Sequence, residues 1–142
     1  MKQLQLITLA LFFSFVSCKK ENELGSKSGD VVGKWKIERK EEIWGVNGTP
    51  ENKVVDCDWV EFKANGEYIE SFGEGWGGYQ IAGKWKILEN GNLELTASRD
   101  IPHGDDGVII KSISDKAMHL YYKGLFGSYY TEATYNLYLV RL

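Results

Sequence analysis

The chain has 142 residues, with 20 acidic side chains against 17 basic ones and a net charge of −3. That balance offers no basic patch for nucleic acid, and two cysteines allow at most one disulfide. Sixteen glycines, two prolines and 13% aromatic residues suit a twisted antiparallel sheet with many turns. The first residues read as a targeting segment. Lys2 supplies a positive start, residues 4–16 are mostly apolar (Leu6, Ile7, Leu9, Leu11, Phe12, Phe13, Phe15), and the small Ser17 follows. This is the pattern of a secretory signal peptide, too short to span a bilayer as a mature helix.

Phe15-Val16-Ser17-Cys18 resembles a bacterial lipobox, with Phe where Leu is usual. The resemblance implies cleavage before Cys18 and a lipid (palmitate) on its thiol. Residues 1–17 are then the signal peptide and 18–29 a polar tether with Leu24 as its one large apolar side chain, unable to bury enough surface to fold. Lys19-Lys20-Glu21 follows Cys18 with no Asp beside it. By resemblance to bacterial lipoproteins this implies the outer membrane, and the Lys-and-acid-rich start is similar to surface-export signals of Bacteroidetes lipoproteins. The mature chain keeps about 125 residues, enough for one domain with a single core over 30–142. With Cys18 lipidated, Cys57 is a buried free thiol. A Cys18–Cys57 disulfide is the alternative without lipidation.

Apolar and polar residues alternate along eight segments, the mark of strands with one buried face. The first strand spans 31–43 and carries Gly33-Lys34-Trp35-Lys36-Ile37, with Trp35 and Ile37 inward. Residues 45–52 form a turn-rich loop. The second strand spans 54–63 and the third 67–72, joined by Asn65-Gly66, a hairpin signal because both residues tolerate positive φ. A glycine-rich loop over 73–78 carries Trp76. The fourth strand, 79–88, places Tyr79, Ile81, Trp85 and Ile87 on one face and repeats Gly-Lys-Trp-Lys-Ile at 83–87. Asn90-Gly91 leads into the fifth strand, with Leu93, Leu95 and Ala97 inward. After a loop over 99–106, the sixth strand spans 108–113. The seventh alternates Met118, Leu120 and Tyr122 with His119, Tyr121 and Lys123. Residues 124–128 turn into a final strand, 129–142, with Tyr135, Leu137 and Leu139 on one face. No helix is expected between or after the strands.

Eight strands joined by short turns predict an all-β, eight-stranded antiparallel up-and-down barrel, because closure removes the exposed edges of an open sheet. A two-layer sandwich is the rival. Gly33-Lys34-Trp35 resembles the Gly-x-Trp signature of lipocalins and related calycins. In that family the Trp closes one barrel end and a basic residue near the last strand packs over it, a place Arg141 fits. Val32-Gly33-Lys34-Trp35, the 60–68 segment and Gly83-Lys84-Trp85-Lys86-Ile87 together resemble lipocalin-like domains of Bacteroidetes lipoproteins. The resemblance implies Gly33, Trp35 and Arg141 as barrel-closing residues. The repeated pentamer reads as architecture rather than duplication: Gly for close packing, Trp for filling, Lys for water.

No strong catalytic constellation stands out, so a non-enzymatic protein without cofactor or metal is expected. His103 lies among Pro102, Gly104, Asp105 and Asp106, ordinary turn residues without a second His at ligand spacing. His119 falls on a polar strand face, as do Asp56 and Asp58. The aromatic surplus is the best functional signal. Trp44, Trp76, Tyr79 and Tyr129 lie near loops or strand ends and predict a ligand-binding mouth, since small-molecule sites are concave and aromatic-lined. The leading expectation is therefore a lipid-anchored envelope barrel holding a small apolar or amphipathic ligand. The alternative is a filled barrel that docks an envelope partner, and the two part on whether Trp35, Trp85, Leu95, Leu120 and Leu137 fill the interior.

Overall fold

The computed structural model describes residues 29–142 apart from Val46, 103–105 and 127–130, and apart from the side chains of Trp76, Phe126 and Thr131. The signal peptide, the tether, Cys18, His103 and Tyr129 thus lie outside the described residues. The described residues form nine strands: β1 (Gly33–Trp44), β2 (Glu51–Lys53), β3 (Trp59–Phe62), β4 (Glu67–Ser71), β5 (Gln80–Ile87), β6 (Leu93–Leu95), β7 (Ile109–Ile113), β8 (Ala117–Phe126) and β9 (Thr131–Arg141). Their order is β6-β5-β4-β3-β1-β9-β8-β7, with β2 paired to β1 off this path. Every pairing is antiparallel.

This is an up-and-down meander rolled until its ends meet. The first and last strands share a ladder from Trp35↔Arg141 to Trp44↔Ala133. The seam lies between β6 and β7, where a single bridge joins Leu93 and Val108 by two N–H···O bonds of 2.7 Å. The result is a nearly closed barrel of eight strands. Its lower end holds the start of β1 and the end of β9. Its upper end holds the end of β1 and the loops after β4 and β6. Among the described residues, no helix is long and apolar enough to cross a membrane.

Alternation fills the interior. Trp35, Val60, Phe62, Tyr68, Leu93, Leu120 and Leu137 are fully buried, and Trp85, Leu95 and Met118 nearly so. Phe62 sits at the centre of the aromatics, 5.2 Å from Tyr68 and edge-on to Trp85 at 5.6 Å. Both repeated tryptophans satisfy their indole N–H. Trp35 Nε1 donates to Val31 O and Trp85 Nε1 to Lys63 O, each at 2.9 Å. A buried indole without such a partner would lose a hydrogen bond it makes with water.

Four features depart from the expected elements. The predicted strand over 54–63 keeps a ladder only at β3, while β2 arises inside the expected loop. The reason is that the N–H groups of Asp56 and Cys57 turn to the Asp100 carboxylate instead of a neighbouring strand. β8 runs past Lys123 to Phe126, because β9 pairs with it down to Thr131. Gly124 is therefore a strand residue rather than a turn residue. A Cβ there would stand 2.8 Å from the Tyr122 ring. A 3-10 turn, Glu74–Trp76, lies between β4 and β5, and a helical turn ends at Val31 before β1. Finally, a bulge between Ile37 and Arg39 shifts the β1 register. It moves the inward face from Trp35 and Ile37 to Lys40 and Glu42.

Candidate functional site

The lower end is closed by three residues the structure brings together. Gly33 has φ +142°, and a Cβ there would lie 2.2 Å from Arg141 Nη1. Only glycine accepts both the backbone angle and the approach. The Arg141 guanidinium lies 4.2 Å from the Trp35 ring centroid. Its Nη1 donates to Val32 O at 2.7 Å and its Nη2 to Asp30 O at 2.6 Å. Cation–π contact and two charge-assisted bonds thus staple the segment before β1 over the end of β9.

The residues of the expected aromatic mouth are scattered. Trp44 ends β1 at 41% exposure, and its side chain helps to lower the Glu42 carboxyl. Tyr79 precedes β5, stacks on Phe72 at 4.6 Å, and accepts a 2.7 Å bond from Arg99 Nη1. Both belong to the upper end, yet β3 and β4 stand between β1 and β5 in the sheet. The Trp76 side chain and Tyr129 lie outside the description.

What occupies the upper interior instead is polar. Glu70 is fully buried on the inward face of β4 between Tyr68 and Phe72, and Asp100 is 2% exposed. Glu70 Oε2 accepts from Ser98 Oγ (3.0 Å) and Arg99 N (2.8 Å), and Oε1 from Asp100 N (2.8 Å). Asp100 in turn accepts from Asp56 N (3.0 Å) and Cys57 N (2.8 Å) on Oδ2, and from Lys40 Nζ (3.3 Å) on Oδ1. Ser98 Oγ also takes Ile101 N at 3.0 Å and lies 3.3 Å from the Tyr68 hydroxyl. The wall of β4 therefore holds the segment around Asp100, which holds the β2–β3 linker. Nearby, the Glu42 carboxylate accepts from Tyr135 and pairs with Lys53 at 2.9 Å. Burial pushes the Glu42 carboxyl up, but the bonds from Tyr135, Lys53 and Trp44 outweigh it and hold the group below its ordinary value.

Cys57 sits beneath this cluster as a buried free thiol. Burial first, then the Asp100 and Glu70 charges, push its pKa far up. A thiol held protonated is a poor nucleophile. The ligand atoms of Cys57, Glu70 and Asp100 lie within 4.8 Å of one another. Glu70 Oε2 and Asp100 Oδ2 each accept two donors there, and Glu70 Oε1 and Asp100 Oδ1 one each. Asp56 pairs with Arg99 at 3.1 Å and Asp58 lies in a bend, so these two acids do not alternate on a strand. His119 is half-buried rather than solvated, stacked on Tyr138 at 4.5 Å and bonded to Asn136. Beside the cluster a cleft of ≈ 220 Å³ is lined by Lys40, Ser98, Asp100, Ile101, Pro102 and Tyr135.

One signal for this cluster was present in the chain: Glu70 interrupts the apolar face of Tyr68 and Phe72 at period two. Asp100, in a loop, carried none. No known protein family, curated protein or solved structure matches the chain.

Proposed function

We propose that this chain is a non-catalytic, lipid-anchored envelope protein whose filled barrel is a rigid module for docking a protein partner. The observation that carries the reading is the interior itself. Trp35, Trp85, Leu95, Leu120 and Leu137 are each 6% exposed or less and pack in one cluster. Interiors packed in this way leave no room for an apolar guest, so the docking reading gains the support that the ligand reading loses. The exposed apolar residues Trp44 and Leu125 (65% exposed) lie at the upper end, opposite the end where the chain enters β1. With Cys18 acylated and residues 18–29 as tether, that rim would face away from the membrane. The resemblance to lipocalin-like lipoproteins supports the anchor and the address.

Two measurements test this reading. Replacing Cys18 by Ala is expected to move the protein from the membrane fraction to the soluble one, and retention in the membrane fraction would refute the anchor. A fluorescent fatty acid titrated into the Cys18→Ala chain is expected to show no saturable binding. One-to-one saturation would restore the ligand reading in its place.

A further inference from the structure

Residues 98–102, between β6 and β7, are held over the upper interior by side chains rather than by a ladder. We propose that residues 98–102 form a strap that opens as a unit while the barrel stays folded, with the Glu70 and Asp100 carboxylates as its two latches. The inference goes beyond the docking reading and does not depend on it. Strands stop at Leu95 and resume at Ile109, and among the described residues the seam is joined by the Leu93–Val108 bridge and by a 2.8 Å bond from Asn92 Nδ2 to Asp106 O. Of the bonds that hold the strap, three run to the Glu70 carboxylate, and two run from the linker N–H groups of Asp56 and Cys57 to the Asp100 carboxylate. Breaking them needs no strand to part. Ile101, 1% exposed, is the apolar anchor that keeps the strap closed at rest.

The groups facing the latches come from every neighbouring element: Lys40 from β1, Tyr68 from β4, Tyr135 from β9, and Asp56 and Cys57 from the linker. Opening uncovers Cys57 and widens the ≈ 220 Å³ cleft that Ser98, Asp100, Ile101 and Pro102 line. Proteins open locally in contiguous units at less than the global unfolding free energy, and here the unit is a five-residue segment outside the strand ladders. The strap thus provides a gate in an otherwise filled barrel.

Cys57 is the reporter. In the Cys18→Ala chain it is the only thiol, so its rate of labelling by a thiol reagent can be followed across low urea. The expected rate is nearly independent of urea at low concentration and joins the steep global line only near the unfolding midpoint. Glu70→Gln puts an amide donor against either the Arg99 or the Asp100 N–H group and is expected to raise the native rate by about tenfold or more. Should that variant fail to fold, Ser98→Ala, which removes one donor to Glu70, is expected to raise the rate by a few-fold. Lys86→Ala, on the outer face near the lower end, is expected to leave it unchanged. A labelling rate that follows the global unfolding slope at all urea concentrations would overturn the strap. So would Ser98→Ala speeding labelling only as far as it lowers global stability.

Discussion

The lower end of the barrel is closed by Trp35, Gly33 and Arg141, and the upper end by Glu70, Asp100 and the segments they hold. At the lower end an apolar ring fills the space and one cation covers it. The bonds Arg141 makes go to carbonyls of the segment just before β1, close to its own strand pairing. At the upper end two buried carboxylates each collect three donors, and all but the Lys40 ammonium come from chain outside the strands. The lower closure draws its stability from volume and packing, which mutations weaken in proportion to the space they empty. The upper closure depends on every donor keeping its acceptor, and a buried donor left alone is costly. One barrel therefore carries a rigid end and an end that opens.

The sharpest way to break this contrast is to empty the lower end. Trp35→Ala removes a fully buried ring and the platform under Arg141, and is expected to cost about 3–5 kcal/mol in urea unfolding. A loss under about 1 kcal/mol would mean that the lower end is not the packed one. Next comes the upper latch. Glu70→Gln keeps the volume but reverses one acceptor, with an expected cost of about 2–3 kcal/mol by the same measurement. Glu70→Leu should then differ from Glu70→Gln in leaving Ser98, Arg99 and Asp100 all without an acceptor.

Acid should separate the ends as well. The Glu42 carboxyl lies below its ordinary value of 4.5 in the folded chain. A depressed carboxyl contributes stability above the unfolded value, and that contribution is lost as pH falls through the folded one. Melting temperature is expected to decline as pH drops below about 4.5, less steeply in Glu42→Gln. An identical acid profile in that variant would remove Glu42 from the account of acid sensitivity. The smallest effect belongs to the outer surface. The Lys86–Glu94 pair, at 2.8 Å, is solvent-exposed, and Lys86→Ala is expected to change stability by less than about 0.5 kcal/mol.

The difference between the ends also explains what could be read from the chain. Strands with sustained alternation, such as β1 through Ile37 and β9 from Tyr135 to Leu139, were legible because period two is a local signal of burial. Closure followed from strand number and the need to remove edges. The bulge after Ile37 was not legible. Nothing in Ile37-Glu38-Arg39-Lys40 shows that the inward face changes and that Glu42 becomes buried. The segment 54–58 misled for the opposite reason. Val54, Val55 and Cys57 look like strand residues, but the N–H groups of Asp56 and Cys57 are claimed by Asp100, 43 positions away from Cys57. Pairings of that range leave no trace in local pattern. For the same reason the aromatics Trp44 and Tyr79 pointed to loop ends correctly, but not to which side chains they would meet.

The most direct test of the filled barrel is native mass spectrometry of the protein purified from its own host without denaturation. The expected mass is that of residues 18–142 plus the acyl lipid on Cys18 and nothing else. A small molecule retained at one-to-one stoichiometry, and released only on unfolding, would contradict an interior filled by Trp35, Trp85, Leu95, Leu120 and Leu137.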